Sequence, residues 1–177
     1  MIRTPFDILA DYERRSLAHA VALPEVHAGN DQWRGVAYRI GSRRLVSSFD
    51  EVVEIVRIPP ITPVPGAQSW LLGVGNLRGN LFPVIDLKQF LQGERTVMHE
   101  GQRVLVMRQS GGDVALTIDE LYGQRSFEAV QSTDPGALSE GRFGHFVSQA
   151  FSSEGQAWGV FSLSLLARTP EFRHAAQ

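Results

Sequence analysis

The chain has 177 residues, with 17 Lys and Arg against 19 Asp and Glu, five His and no Cys, for a formal charge of -2. These figures exclude a disulfide framework, a thiolate metal centre and a cysteine nucleophile, and the near balance of charge lacks the basic excess of a dedicated nucleic-acid binder. A hydrophobic fraction of 43% with 20% charged residues belongs to a folded protein, not a disordered one.

No apolar run approaches the ~18–20 residues that span a bilayer. The longest lie at 70–74 and 158–166. Asp7, Asp11 and Glu13 interrupt any apolar core of a signal peptide. The expected location is the cytoplasm, without direct membrane insertion.

Residues 4–17 predict a helix. Thr4 suits the N-cap, Pro5 the first helical position, and Asp7 the acid of a capping box. Phe6, Leu9, Tyr12 and Leu17 share roughly one face. The pattern fades at Leu23-Pro24, and 25–32 reads as a linker around Gly29-Asn30-Asp31. Residues 1–32 are therefore expected to form an N-terminal extension, free to pack back on the rest or to meet another protein.

From Trp33 the texture becomes β. Residues 35–40 and 45–49 flank Gly41-Ser42 as a hairpin. Val52, Val53, Ile55, Val56 and Ile58 favour a strand, with room for one short turn before it. Pro59, Pro60, Pro63 and Pro65 force 59–66 to be extended. Residues 70–77 and 81–85 read as two more strands. Asp86 then caps a short helix that ends near Gly93, with Gln89 at the third position. Loss of that cap would cost about 1 kcal/mol.

The second half repeats the first. A shift of 69 lays residues 37–52 on 106–121 without a gap, and a shift of 76 lays 82–91 on 158–167. Asp86 meets Ser162, and both suit an N-cap. Short strands punctuated by Gly point to two small β-barrels, one over about 33–92 and one over about 101–168, with a tail at 169–177.

Few residues point to chemistry. His19, His27, His99, His145 and His174 are scattered, with no metal-ligand spacing and no nucleophile-elbow motif nearby. Asp50-Glu51 and Asp119-Glu120 are neighbours whose side chains diverge, so they are expected to support equivalent turns. Gly73-Val74-Gly75-Asn76-Leu77-Arg78-Gly79 superficially resembles a phosphate loop. Such loops need a helix directly after the glycines, and here Pro83 and its apolar neighbours predict a strand. No catalytic, metal or cofactor residue is assigned. Arg78 sits at an expected tight turn. Taken alone it is either solvated or an anchor for a partner, since its planar fork makes several hydrogen bonds.

Four runs in order resemble the signature of the CheW-like domain: 61–67 (Ile-Thr-Pro-Val-Pro-Gly-Ala), 70–74 (Trp-Leu-Leu-Gly-Val), 76–79 (Asn-Leu-Arg-Gly) and 83–87 (Pro-Val-Ile-Asp-Leu). The upstream Glu51-Val52-Val53-Glu54-Ile55 fits the preceding element. The resemblance spans about 35–167. It implies a mainly β fold of two SH3-like five-stranded barrel subdomains with short helices. It also implies a non-enzymatic adaptor without cofactors. Its partners would be the cytoplasmic tip of a methyl-accepting chemoreceptor, seated in a groove between the subdomains, and the CheW-like regulatory domain of a CheA-type histidine kinase. Carried onto matching positions, Asn76, Leu77, Arg78 and Gly79 become interaction-loop residues, and Val52 and Glu54 partner contacts beside them. The extension at 1–32 and the run Trp33-x-Gly35-x-x-Tyr38-Arg39 resemble family members that control type IV pili and twitching motility. A flagellar chemotaxis adaptor and a generic SH3-like binding module are the alternatives.

Overall fold

The central strands bury both faces. In β1 (Gln32–Ile40), Val36, Tyr38 and Ile40 face one way and Ala37 the other, and all four are buried. β7 (Arg103–Gln109) does the same, with Leu105 and Met107 on one side and Val104 and Val106 on the other. Such strands read as continuous apolar runs because each face meets its own core.

The computed structural model describes residues 32–109 and 111–174. The helix expected at 4–17 lies outside them. The remaining strands are β2 (Arg43–Ser48), β3 (Val52–Arg57), β4 (Ile61–Thr62), β5 (Leu71–Leu77), β6 (Asn80–Ile85), β8 (Gly112–Thr117), β9 (Glu120–Glu128), β10 (Ser132–Thr133), β11 (Val147–Ser153) and β12 (Gln156–Phe161). Three short helices accompany them: α1 (Leu87–Gln92), α2 (Leu163–Arg168) and α3 (Pro170–Arg173). None of the described helices is long and apolar enough to cross a membrane. One 3-10 turn, Phe49–Glu51, precedes β3, which fills the room left for a turn there.

The strands form two six-stranded sheets. Sheet I has the order β10-β11-β12-β2-β1-β9, and sheet II the order β4-β5-β6-β8-β7-β3. This corrects one expectation. Neither sheet closes into a five-stranded SH3-like barrel. Each ends on a two-residue strand, β10 or β4, which offers too few hydrogen bonds to join the opposite edge. Prolines at 59, 60 and 63 also remove donors around β4. Each sheet draws strands from both halves of the chain. The hairpin β1–β2 belongs to the sheet of the second half, and β7–β8 to the sheet of the first half.

The repeat is nonetheless carried by the pairing. Under the sequence shifts, β1, β2 and β3 correspond to β7, β8 and β9, and the two strand orders become identical. The parallel contacts match, with β6 beside β8 and β12 beside β2. Even the bulges match. Val53 is skipped between the pairs Val52–Met107 and Glu54–Val106, and Tyr122 between Leu121–Tyr38 and Gly123–Ala37.

Three cores result. Sheet I holds Ala37, Val46, Phe127, Phe151 and Trp158 on one face. Sheet II holds Phe82, Val84, Val104, Val106 and Ala115. The other faces meet in a larger core with Tyr38, Ile40, Leu105, Leu116, Phe161 and the helix residues Leu87, Phe90, Leu163 and Leu166. Phe172 of α3 enters it, stacked on Trp70 at 6.1 Å between ring centroids and edge-on to Phe90 at 5.4 Å. Arg142 ties this corner together. It donates to the Phe90 carbonyl at 2.9 Å, lies over the Phe90 ring and pairs with Glu171.

Candidate partner-binding site

The expected interaction loop is the β5–β6 turn. Leu77 pairs with Asn80, so Arg78 and Gly79 are its two central residues. Both have positive φ, 53° and 89°. That is the turn whose twist suits a hairpin. Asn76 supports it from within: its Oδ1 accepts the Gly79 N–H at 2.9 Å. The glycines before it do not form a phosphate loop, because Gly73 and Gly75 lie inside β5. Gly73 has φ 143°, and a Cβ there would sit 2.2 Å from the Thr62 carbonyl oxygen. Glycine is what lets β4 lie against β5.

Arg78 projects from the tip with its side chain 76% exposed. Its Nη1 lies 3.5 Å from Oε2 of Glu54 on β3. The strand order sets β3 and β5 apart in sheet II, so this ion pair reaches across the sheet. Glu54, Leu77 and Gly79 join Leu81, Phe82 and Val106 in lining a surface groove of about 560 Å³. Asp113 of β8 stands at its edge, 3.9 Å from the exposed Arg108. The groove is therefore mixed: Leu77 and Leu81 stand beside Asn80 and two carboxylates, each opposite an exposed arginine.

Of the six expected residues, the structure brings Glu54, Leu77, Arg78 and Gly79 together and uses Asn76 to shape the turn. Val52 stands apart, packed against the core between the sheets. Its neighbour Val53, displaced by the bulge, is 39% exposed instead. Leu81, at 72% exposure, was not singled out from the sequence. Strand alternation carries the signal, since inward Phe82 and Val84 turn Leu81 outward.

The two acidic pairs do not play equivalent parts. Glu51 accepts N–H groups from Leu163 and Ser164 at 3.2 and 3.0 Å, at the start of α2. Its counterpart Glu120 instead accepts from Arg39 at 3.1 Å and from the Tyr122 hydroxyl at 3.0 Å. Those bonds hold the Glu120 carboxyl below its ordinary range. Asp119 accepts the Gly41 N–H and so fixes the β1–β2 turn.

An exposed turn beside a groove of mixed lining, on a frame of two sheets, suits binding. The family model that matches is that of the CheW-like domain, over residues 34–171. The chain belongs to this family of scaffold and adaptor proteins. It is 33% identical to Protein PilI of Pseudomonas aeruginosa over 175 residues, 99% of this chain and 98% of that protein. Protein FrzA of Myxococcus xanthus is 29% identical over 144 residues, 79% of this chain and 88% of the relative. Among solved structures, the scaffolding protein TtCheW from Thermoanaerobacter tengcongensis superposes with a TM-score of 0.66 at 20% identity. The match covers 77% of this chain and 93% of that one, and at this identity it speaks for the fold alone.

Proposed function

We propose that the chain is a non-enzymatic coupling protein. It joins the cytoplasmic tip of a methyl-accepting chemoreceptor to the regulatory domain of a CheA-type histidine kinase, in a system that controls type IV pili. The observation that carries this reading is the Arg78 turn. A long cation is held at the tip of a hairpin, next to a groove lined by both apolar and acidic side chains, inside the run that marks the family. The relation to PilI over nearly the whole chain supports the pilus assignment over the flagellar one.

The mechanism is binding. A rigid body with two surfaces lets a conformational bias in the receptor reach the kinase without any bond being made or broken. The core between the sheets supplies the rigidity, and the interleaved hairpins make the halves inseparable. The reading places the protein in the cytoplasm, at receptor arrays.

Co-purification of the full chain with receptor and kinase tests it. Wild type is expected to retain both. Arg78→Glu is expected to lower retention of at least one partner about tenfold, the effect of ~1.4 kcal/mol. Its melting temperature is expected to stay within about 2 °C, because an exposed ion pair contributes about 0–1 kcal/mol to folding. Wild-type retention of both partners by Arg78→Glu would remove Arg78 from the site.

A further inference from the structure

Arg78 and Glu154 are the two non-glycine residues with positive φ among the described residues, at 53° and 54°. They stand 76 positions apart, the same shift that relates the last strand and helix of each half. Each is the first central residue of a two-residue hairpin turn, Arg78-Gly79 between β5 and β6 and Glu154-Gly155 between β11 and β12. Such turns favour Asn, Asp or Gly at that position, because positive φ crowds a Cβ against the backbone, Gly has none, and the short polar side chains of Asn and Asp offset the cost with local hydrogen bonds. The side chains are 76% and 80% exposed, so neither fills the core.

Each reaches one partner, on repeat-equivalent strands, with the charges exchanged. Arg78 meets Glu54 of β3 at 3.5 Å. Glu154 meets Arg125 of β9 at 3.6 Å. Arg125 is only 33% exposed, and its guanidinium lies over the ring of buried Trp158, 4.6 Å from the centroid. The projecting group at this tip is therefore the carboxylate. A fold that needed only the turn would be better served by Asn or Gly. A residue that fits the turn poorly, kept exposed and charged, is a residue presented to something else.

We propose that the β11–β12 tip is a second partner contact, at which Glu154 receives an arginine or lysine side chain. It is the charge inverse of the Arg78 tip. This rests on the reading of the chain as a coupling protein. The two sheets are alike in strand order and bulge, so a partner shaped for one tip would also fit the other. Opposite charges prevent that, because the wrong tip meets the partner with like charge. The inversion directs each partner to its own sheet.

The same co-purification, with the full chain, tests this separately. Glu154→Arg is expected to lower retention of one partner about tenfold and to leave the other unchanged. Glu154→Gln should do less, and Glu154→Asp should keep wild-type retention. Glu154→Asn eases the turn, so it should melt at or above wild type while still losing that partner. Should Glu154→Arg fail to fold, Glu154→Asn decides the matter alone. If wild type retains both partners and the Arg and Asn variants also do, the second contact is overturned and the coupling function stands. A fall in the melting temperature of Glu154→Asn with normal retention also overturns it, since Glu154 would then serve the fold. If wild type retains neither partner, the coupling function fails and the contact fails with it.

Discussion

Sheets I and II share strand order, bulge position and the short helix after the last hairpin, but they hold that helix by different means. In the first half, Asp86 caps α1, and Thr117 of the other half accepts only the Leu87 N–H, at 3.3 Å. The Asp86 carboxylate accepts the Gln89 N–H at 3.0 Å, then the Thr96 N–H and hydroxyl at 2.9 and 2.7 Å. In the second half, Ser162 caps α2 through the Leu165 N–H at 3.3 Å, and Glu51 arrives from the other half to accept two more. The free N–H groups of a helix start must find acceptors, but any acceptor serves. The two halves therefore share the backbone pairing and differ in side-chain roles. The charges at the hairpin tips differ in the same way.

The largest difference between the sheets lies in their private cores. Phe127 is 1% exposed and stacked on Phe151 at 4.8 Å between centroids. Its counterpart in sheet II, Ile58, is only half-buried. Phe127→Ala is expected to destabilise the protein by about 3–5 kcal/mol, and Ile58→Ala by about 2 kcal/mol or less. Urea titration of both variants checks the difference. Equal losses would mean that the two small cores contribute alike despite their contents.

Asp86 comes next, and here the structure raises the expected effect. The cap alone is worth about 1 kcal/mol. Thr96 leaves no mark in the sequence, because 93–102 shows no periodicity that would fix its path. In the structure Asp86 is 1% exposed and Thr96 is buried. Asp86→Ala therefore strands two further donors, and the expected loss is roughly 2–4 kcal/mol. Thermal melts of Asp86→Ala and Thr96→Val test this. A loss near 1 kcal/mol for Asp86→Ala would mean that water replaces the carboxylate at Thr96.

The contrast shows what the sequence could carry. Strands, turns and caps were legible because their signals are local. Examples are the proline run at 59–65, Gly41 and Gly79 at turns, and Asp86 and Ser162 at helix starts. The repeat was legible as well, because pairing preserves alternation. What stayed hidden was which half each hairpin joins. Residues 37–46 and 104–116 alternate identically whether a hairpin pairs within its own half or across. Only the three-dimensional register, Val36 to Gln124 and Leu105 to Ile55, decides it. At the candidate site, the motif points to Arg78 and Glu54, which the fold brings within 3.5 Å. Leu81 and Asp113 come from separate strands that meet only in the folded sheet.

The smallest expected effect belongs to Ser162, and it probes the shared capping of α2. Ser162→Ala removes the acceptor of the Leu165 N–H, but Glu51 continues to hold Leu163 and Ser164. The expected loss is about 0.5–1 kcal/mol, the low end for an N-cap. It lies well below the loss for Asp86→Ala, which also strands the two buried donors of Thr96. Glu51→Ala alone should cost a similar amount. The two groups share the same helix start, and the Ser162 hydroxyl lies 3.1 Å from Glu51 Oε1. Each single variant already breaks that bond, so their double variant should lose less than the sum of the singles, by about 0.5–1 kcal/mol. A double-mutant cycle by urea denaturation measures this. Strict additivity would mean that each acceptor serves its own donors, and that α1 and α2 differ only in the number of their caps.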